Sequence, residues 1–379
     1  MPMRTTASYD LFPDAPSERA MARARWLARE GRTADAESAY LGLLSSHPDL
    51  KVCWAEYFEL LRASGRSAAA LELAERARVQ FGEGGFALTL QGAALVELGR
   101  YPDALAALER AVEADPDLAP VWHELGWAAY KLGDKNRALL ALDRAFALEP
   151  HTETLKLRGR VLRDAGRYQA AEVAFEGAAQ AAEHPEQRAD AEREIAATRR
   201  YAFYAPRKPE DLGPGERWFA DTGSVVLAPD AGPVPPGDET LVATFAEVAE
   251  DSGWRFGQVI ALDPSLPIWS DLAERLGAPL AGPAAFDPAA CPLVVATSAV
   301  PPDPTWTRLA AAVPEHGSGV VFVLEHPAET PGGGGGVADV IGVLTDAGQR
   351  RMRAPNPAHA LSEAQHPGAR LAGRRLRPA

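Results

Sequence analysis

His123 and Glu124 are adjacent in a predicted helix, and together they match the opening of HExxH, a zinc-binding helix pattern. That pattern needs a second histidine four residues after the first, so that two imidazoles one helical turn apart can bind the same ion. Trp127 occupies that position instead. The sequence therefore predicts no zinc site here, and it predicts no metal or cofactor elsewhere in the chain.

Other short catalytic motifs are also incomplete. The glycine run 332–336 lacks a GK[ST] ending, and Val337 stands where G-x-G-x-x-G requires its last glycine. No G-x-S-x-G nucleophile motif occurs. Cys53 and Cys291 have no companion cysteine at the spacing of a metal or redox motif. These observations leave the chain without a motif-based enzyme class.

Charge divides the chain into three parts. Residues 1–203 carry 26 Lys and Arg against 31 Asp and Glu, whereas residues 209–349 carry 4 against 20. Residues 350–379 reverse the sign, with seven arginines and the single acidic residue Glu363. This composition predicts a basic, disordered tail over 349–379, which is solvated, folded back on the acidic region, or free to meet an anionic partner.

Residues 218–348 alternate short apolar runs with amphipathic helical segments, which predicts an α/β domain with a parallel sheet. Ligands of such sheets bind beyond the carboxyl ends of the strands. The candidate residues there are Asp230, Asp263, Thr297, Ser298, Glu325 and His326. Polar residues are expected at strand ends in any case, so these positions predict a site only weakly.

The first half of the chain repeats with a fixed period. Glycines recur at Gly31, Gly65, Gly99, Gly133 and Gly166, in steps of 34, 34, 34 and 33 residues. Each glycine separates two helical patterns, as a turn with positive φ between antiparallel helices requires. Seven positions earlier, Gly92 and Gly126 are expected to face an alanine of the second helix. The spacing predicts five stacked helical hairpins.

These details resemble the tetratricopeptide repeat (TPR). The fourth unit carries its pattern best, as Trp122, Leu125, Gly126, Ala138, Leu142, Ala145 and Pro150. The resemblance covers about residues 17–184 and implies an α-helical TPR solenoid of about five repeats. A polar helical pattern over 186–203 would cap it. The predicted boundaries are a solenoid with its capping helix at 17–203, a linker at 204–217, the smaller α/β domain at 218–348 and the tail at 349–379.

The resemblance also implies a concave groove lined by the first helix of each repeat. The matching positions are Arg25 and Arg29; Glu56, Glu59 and Arg62; Phe86, Thr89 and Leu90; His123, Trp127, Tyr130 and Lys131; and Lys156, Arg160 and Arg163. An aromatic centre beside cations predicts an acidic partner segment with one apolar anchor. Trp127 and Tyr130 could instead fill the surface between helices. Chaperone-binding members use lysines and asparagines in this groove, and no asparagine occupies these positions.

The sequence therefore indicates a non-enzymatic adaptor or scaffold for protein–protein interaction, which binds a protein or peptide partner. The alternative is a TPR-targeted, glycosyltransferase-like enzyme whose α/β domain binds a nucleotide or sugar nucleotide. The missing motifs favour the adaptor. An isoelectric point near 5.2 argues against nucleic-acid binding. No apolar run is long enough to span a membrane, so we expect a cytoplasmic protein.

Overall fold

The computed structural model describes residues 15–228, 237–298, 303–328, 338–345, 357–366 and 368–371. Contacts between Cα atoms separate the chain into two compact units, Met1–Val161 and Leu162–Ala379. The division falls inside a helix of the fifth repeat, upstream of the linker that the sequence predicts at 204–217. Asp230 and the glycine run 332–336 lie outside the described residues.

Antiparallel helical hairpins build the first unit. Its described helices are α1 (Ala15–Arg29), α2 (Thr33–Ser46), α3 (Lys51–Ala63), α4 (Ser67–Phe81), α5 (Gly85–Glu97), α6 (Tyr101–Ala114), α7 (Ala119–Lys131), α8 (Lys135–Leu148) and α9 (Thr152–Asp164), the last of which continues into the second unit. The turn glycines have φ between +68° and +82°. The hairpins α1–α2, α3–α4, α5–α6 and α7–α8 pack in succession, so the predicted helical repeats are confirmed in this unit.

Glycines inside the first helices allow close packing within a hairpin. A Cβ atom on Gly92 would lie 2.4 Å from Cγ of Leu108, and one on Gly126 would lie 2.7 Å from Cγ of Leu142. The nearest side chain is therefore a leucine of the second helix rather than the expected alanine. The glycine is needed because the leucine fills the space that a Cβ would occupy.

The second unit holds a parallel sheet. Its described helices are α10 (Tyr168–Gln180), α11 (Pro185–Phe203), α12 (Pro214–Thr222), α13 (Asp238–Asp251), α14 (Pro267–Leu276), α15 (Pro304–Glu315) and α16 (Pro357–Gln365). The strands are β1 (Val225–Ala228), β2 (Gln258–Ala261), β3 (Leu280–Ala281), β4 (Pro292–Ser298), β5 (Val320–Pro327) and β6 (Val340–Thr345). They follow the order β1-β6-β5-β4-β2-β3, and every described pairing is parallel. The predicted parallel sheet is thus confirmed.

Helices cover both faces of this sheet. On one face Phe245 of α13 stacks on Phe322 of β5, with ring centroids 4.3 Å apart. On the other face Trp306 of α15 and Trp218 of α12 pack over β4, β5 and β6. Burial on both faces explains why these strands are continuous apolar runs. Over the part of the chain that the structure describes, no helix is long and apolar enough to cross a membrane.

Part of the tail is folded into this unit. The helix α16 and the turn after it place Ala360, Ala364 and Leu371 in the core beside α11 and α13. Glu363 has no exposed surface. Residues 357–371, as far as they are described, therefore differ from the predicted disordered tail, because small apolar side chains alternate with polar ones along one packed helix face.

Candidate partner-binding groove

A cavity of about 500 Å³ lies in the first unit, on the side of α7 that carries its groove positions. Its polar lining includes Arg62 of α3, His123 and Glu124 of α7, and Glu153 and Thr154 at the start of α9. These side chains come from three different repeats, and the stacking of the repeats brings them together. The cavity therefore depends on the solenoid rather than on any single hairpin.

Arg62 connects carboxylates on two further helices. Its Nη1 donates to Oε1 of Glu59 at 3.1 Å and to Oε1 of Glu124 at 3.2 Å, and its Nη2 donates to Oε1 of Glu97 at 2.9 Å. Burial disfavours the Arg62 charge, but these three carboxylates outweigh it and raise the pKa of Arg62. The guanidinium therefore stays charged and ties α3, α5 and α7 to one another.

Glu124 is the most deeply placed carboxylate of this cluster, with 8% of its surface exposed. Burial raises its pKa, whereas Arg62 acts in the opposite direction. A buried carboxylate without a cation would cost several kcal/mol. Arg62 is thus the partner that makes an ionised Glu124 tolerable at this position.

His123 is held in its neutral form. Its Nδ1 lies 3.0 Å from the Thr154 hydroxyl, which joins α7 to α9. Burial lowers the pKa of His123 to about 4, and nearby His151 and Arg62 act in the same direction. Near pH 7 the ring therefore offers one donor and one acceptor instead of a positive charge.

Trp127, Tyr130 and Lys131 continue the same face of α7. Trp127 follows His123 by four residues, which places both side chains on one side of the helix. The Trp127 and Tyr130 rings lie 5.9 Å apart, and Nζ of Lys131 is 4.6 Å from the Trp127 ring centroid. Both rings are half-buried and pack against core clusters. They therefore fill part of the surface between helices and leave part exposed, with Trp127 one helical turn from the cavity residue His123.

Groove positions of the first repeats form ion pairs. Nη2 of Arg25 is 2.6 Å from Oε1 of Glu56, which also accepts a hydrogen bond from Tyr40 through Oε2. Arg29 and Glu59 are exposed. Since Arg25 and Glu56 neutralise each other, this end of the face carries little net charge.

The third repeat presents little free surface. Leu90 is 8% exposed and lies in a core cluster, and Thr89 is buried and donates to the carbonyl of Gly85. Phe86 is half-buried and packs edge-on against Phe81, with ring centroids 5.4 Å apart. Tight helix packing in this repeat explains why these apolar positions support the core.

The cations of α9 are also engaged. Lys156 is 7% exposed, and its Nζ lies 3.1 Å from Oε1 of Glu153. Arg160 is half-buried. Arg163, in the second unit, donates through Nη1 to Oε2 of Glu194 at 2.6 Å. The predicted cationic end is therefore largely neutralised by acidic neighbours.

Six polar residues of the cavity and its Arg62 cluster were not among the predicted groove residues: Glu97, Glu124, Glu149, His151, Glu153 and Thr154. Glu124 and Glu97 lie at repeat positions equivalent to groove residues of other repeats. This equivalence was the sequence signal that could have identified them. Burial of Glu124 against an arginine 62 residues away was not visible in the sequence.

The strand ends of the sheet gather fewer functional features. Asp263 accepts hydrogen bonds from the backbone and hydroxyl of Ser265, and Thr297 is exposed. Ser298 and Glu325 pair in register on β4 and β5. His326 is buried with its ring 4.8 Å from Trp218. Within the described ranges, no group of three potential metal ligands comes together.

Comparison with known protein families identifies repeats between residues 92 and 152. A TPR repeat model matches residues 92–133, and a tetratricopeptide repeat model matches residues 119–152. The helical hairpins and their turn glycines agree with both matches. Residues 92–152 of this chain therefore carry tetratricopeptide repeats, within a longer series of helical hairpins.

One curated relative is the Hsp70-Hsp90 organizing protein of Triticum aestivum, which is 44% identical over 66 residues. That match covers 17% of this chain and 11% of the length of the relative. A thermophilic TPR protein of Thermus thermophilus is 19% identical, covers 47% of this chain and 98% of its own, and has a TM-score of 0.42. PilW, a type IV pilus biogenesis factor, is 20% identical. The match covers 51% of this chain and 89% of the PilW chain, with a TM-score of 0.42.

Proposed function

We propose that this protein is a non-enzymatic interaction adaptor, and that its repeats bind a segment of a partner protein along the first helices of the hairpins. The observation that carries this proposal is the cavity at His123, one helical turn from Trp127, where polar side chains of three repeats converge. Stacked repeats commonly present extended binding surfaces of this kind. The tetratricopeptide matches support a protein or peptide as the partner.

The partner segment would place an apolar side chain against Trp127 and Tyr130. Half-exposed aromatic rings offer apolar area and lose little rotamer freedom on binding, which suits an anchor contact. Lys131 over the Trp127 ring would flank the anchor with a positive charge. Leu90 and Thr89 lie in the core, so they would support this surface from beneath rather than touch the partner.

The charge of the cavity favours a hydrogen-bond donor over an acidic group at its centre. Glu124, Glu153 and Glu149 line it together with the single arginine Arg62. A partner carboxylate placed there would meet like charges. We therefore restrict the predicted acidic segment to positions that reach Lys131 or Arg160, and we propose a donor such as an amide or a cation near Glu124.

A photo-crosslinking experiment tests this proposal. A photoreactive phenylalanine analogue replaces Lys131 in one full-length variant and Leu140 in another. Leu140 is the matched control because it is an exposed apolar residue on α8, with 73% of its surface accessible. We expect a defined protein adduct from position 131 and none from position 140. Adducts from position 140 alone would place the binding surface on the second helices.

The partners recovered in this way can be identified by mass spectrometry. The relative named Hsp70-Hsp90 organizing protein makes these two chaperones the first candidates to examine. Because this chain spans only 11% of that relative, a shared partner is a proposal that needs its own evidence. If position 131 crosslinks to other proteins instead, the proposed adaptor function stands, and these two chaperones are excluded as its partners.

A further inference from the structure

The cavity of the first unit has an apolar wall as well as polar groups. Ala119 and Pro120, at the beginning of α7, line it together with the polar side chains of α3, α7 and α9. Its volume of about 500 Å³ lies within the range of about 300–1,000 Å³ that is usual for ligand-binding cavities. The cavity is therefore large enough for a long side chain that has an apolar stem and a polar head.

Carboxylates outnumber cations in the lining of this cavity. Glu124, Glu149 and Glu153 line it, whereas Arg62 is the one lysine or arginine among its described lining residues. Arg62 also donates to two carboxylates outside the lining, so its single positive charge is shared among three acidic groups. His123 is neutral near pH 7 and adds no positive charge. Arg62 therefore does not neutralise the cavity.

The two carboxylates at the mouth of the cavity differ in their surroundings. Glu153 lies 3.1 Å from Nζ of Lys156, which offsets one negative charge. Glu149, at the C-terminal end of α8, is exposed, and within the described ranges no side chain pairs with it. Together with the three carboxylates on Arg62, five acidic groups thus face two cations. A positive charge on His151, which also lines the cavity, would not reverse this balance.

Glu124 contributes a carboxylate with incomplete hydrogen bonding to the cavity wall. It is 8% exposed, and Oε1 is the oxygen that accepts from Nη1 of Arg62. Among the residues that the structure describes, no donor hydrogen-bonds to Oε2. A buried acceptor without a donor is unfavourable, and the neighbouring carboxylates on Arg62 add repulsion. A positively charged donor from a ligand would relieve both effects.

We propose that this cavity accepts the side chain of a lysine or arginine of the partner segment, an inference that rests on the proposed adaptor function. The methylene stem would lie against Ala119 and Pro120, since such stems cover apolar surface while their head groups stay among polar groups. The charged head would reach Glu124, Glu149 and Glu153. A neutral amide could make hydrogen bonds there but would gain no charge attraction, so the cation is favoured over the amide.

The position of the cavity also restricts the sequence of the partner. Trp127, the proposed apolar anchor site, lies one helical turn from His123, which is about 5.4 Å along the axis of α7. An extended segment rises about 3.3 Å per residue, and residues two positions apart point to the same side. In an extended partner segment, the basic residue and the apolar residue would therefore be about two positions apart.

Saturation-transfer NMR on the full-length protein tests this inference with acetylated and amidated tripeptides. Each has glycine in the middle, leucine at one end, and lysine, arginine, glutamine or glutamate at the other, and each is made in both orders. We expect a lysine or arginine peptide to bind at least about tenfold more tightly than its glutamine counterpart. This binding should weaken between about 0.05 and about 0.5 M sodium chloride, because salt screens the attraction.

Binding of the lysine peptides alone would identify an ammonium ligand, and binding of the arginine peptides as well would show that guanidinium groups are accepted. Equal binding of the cationic and glutamine peptides, tighter binding of the glutamate peptides, or no saturable binding of the cationic peptides would overturn the inference.

Substitutions locate the site. Glu149→Gln removes an exposed charge and should weaken binding of the cationic peptides at least about threefold, and Glu149→Gln with Glu153→Gln at least about tenfold. The matched control is Glu113→Gln, an exposed glutamate of α6 outside the cavity, which should leave binding unchanged. Circular dichroism confirms folding. Unchanged binding in both folded cavity variants, or equal loss in the Glu113 control, would overturn the assignment.

The peptide result and the crosslinking result fail separately. A protein adduct from position 131 without any preference for cationic peptides would overturn this inference and leave the adaptor proposal standing. Cationic peptides that bind through Glu149, without an adduct from position 131, would support the cation site and contradict the adaptor proposal.

Discussion

The two compact units differ in how far apart in the sequence their side-chain hydrogen bonds reach. In the first unit, Arg62 of the second repeat reaches Glu124 of the fourth, at a separation of 62 residues. In the second unit, Arg200 reaches Gly368 at a separation of 168 residues. A solenoid gains its stability from adjacent hairpins, whereas the sheet unit depends on a segment near the C-terminal end of the described chain. A substitution in the first unit should therefore destabilise only the neighbouring repeats, whereas loss of the tail should destabilise the whole second unit.

Removing residues 357–379 should have the largest effect. The deletion takes away α16 from the core and leaves Asp339, which has no exposed surface, without Arg370. We expect the second unit to lose about 4 kcal/mol of stability, the scale of a broken buried ion pair. Hydrogen exchange measured by mass spectrometry should show faster exchange in β1, β6 and α12, with α3 to α8 unchanged as the internal control. Unchanged protection of β6 would mean that the tail is dispensable.

A double-mutant cycle in the first unit should show a smaller, local effect. Arg62→Leu leaves Glu124 buried without its cation, so we expect a loss of about 3 kcal/mol in the free energy of unfolding. Adding Glu124→Gln should restore at least about 1 kcal/mol, because the uncompensated charge is removed.

The matched control for this cycle is Arg66→Leu, whose partner Glu37 forms a more exposed ion pair. That change should cost clearly less than Arg62→Leu, because water and salt screen the more exposed pair. Chemical denaturation followed by circular dichroism measures all variants. Equal costs at positions 62 and 66, without rescue by Glu124→Gln, would contradict the account of the Arg62 cluster.

The pH dependence of the first unit should contain a contribution from His123. The folded pKa of about 4 lies below the ordinary histidine pKa of 6.5, so the unfolded chain binds the proton more readily between these values. Stability from this group is present above pH 6.5 and is lost as the pH falls towards 4. Between about pH 7 and about pH 5 the expected loss is about 2 kcal/mol. His123→Gln should reduce that slope in denaturation measured at both pH values, and an unchanged slope would exclude His123 as its source.

Lys131→Gln should have the smallest effect, and only on partner binding. The exposed ammonium lies over the Trp127 ring, where such a contact contributes about 0.5–1 kcal/mol. A rim charge changes mainly the association rate and its dependence on salt. Surface plasmon resonance with a crosslinked partner would measure both rates. A large increase in the dissociation rate would instead make Lys131 a central contact.

Sequence periodicity predicted most of the fold because its causes are local. Gly99 and Gly133 mark turns through their positive φ, and the apolar runs at β4 and β5 mark buried strands. β6 is harder to recognise because Gly342 interrupts a short apolar run, at a position where a Cβ would lie 2.6 Å from the carbonyl oxygen of Leu324. Such a requirement arises from the neighbouring strand, so the local pattern does not reveal it.

The surroundings of Trp127 and the burial of the tail were harder to predict, because the residues involved meet only in the folded chain. Trp127 was named from its repeat position, but its half-buried packing depends on core clusters of neighbouring repeats. Glu363 is the single acidic residue of a basic tail, and composition alone predicted disorder there. The structure buries it beside the hydroxyl of Tyr204 and 2.9 Å from His359. Composition averages over a segment, whereas burial is decided by individual contacts.

The most direct test of the adaptor proposal measures how the affinity of the full-length protein for a crosslinked partner changes in two matched variants, Trp127→Ala and Leu140→Ala. Both remove an apolar side chain, one from the groove face of α7 and one from the exposed face of α8. We predict that Trp127→Ala weakens binding by about 30-fold, or about 2 kcal/mol, whereas Leu140→Ala leaves it unchanged. Wild-type affinity in a folded Trp127→Ala variant, or an equal loss in both variants, would contradict the assignment of the binding surface to the first helices.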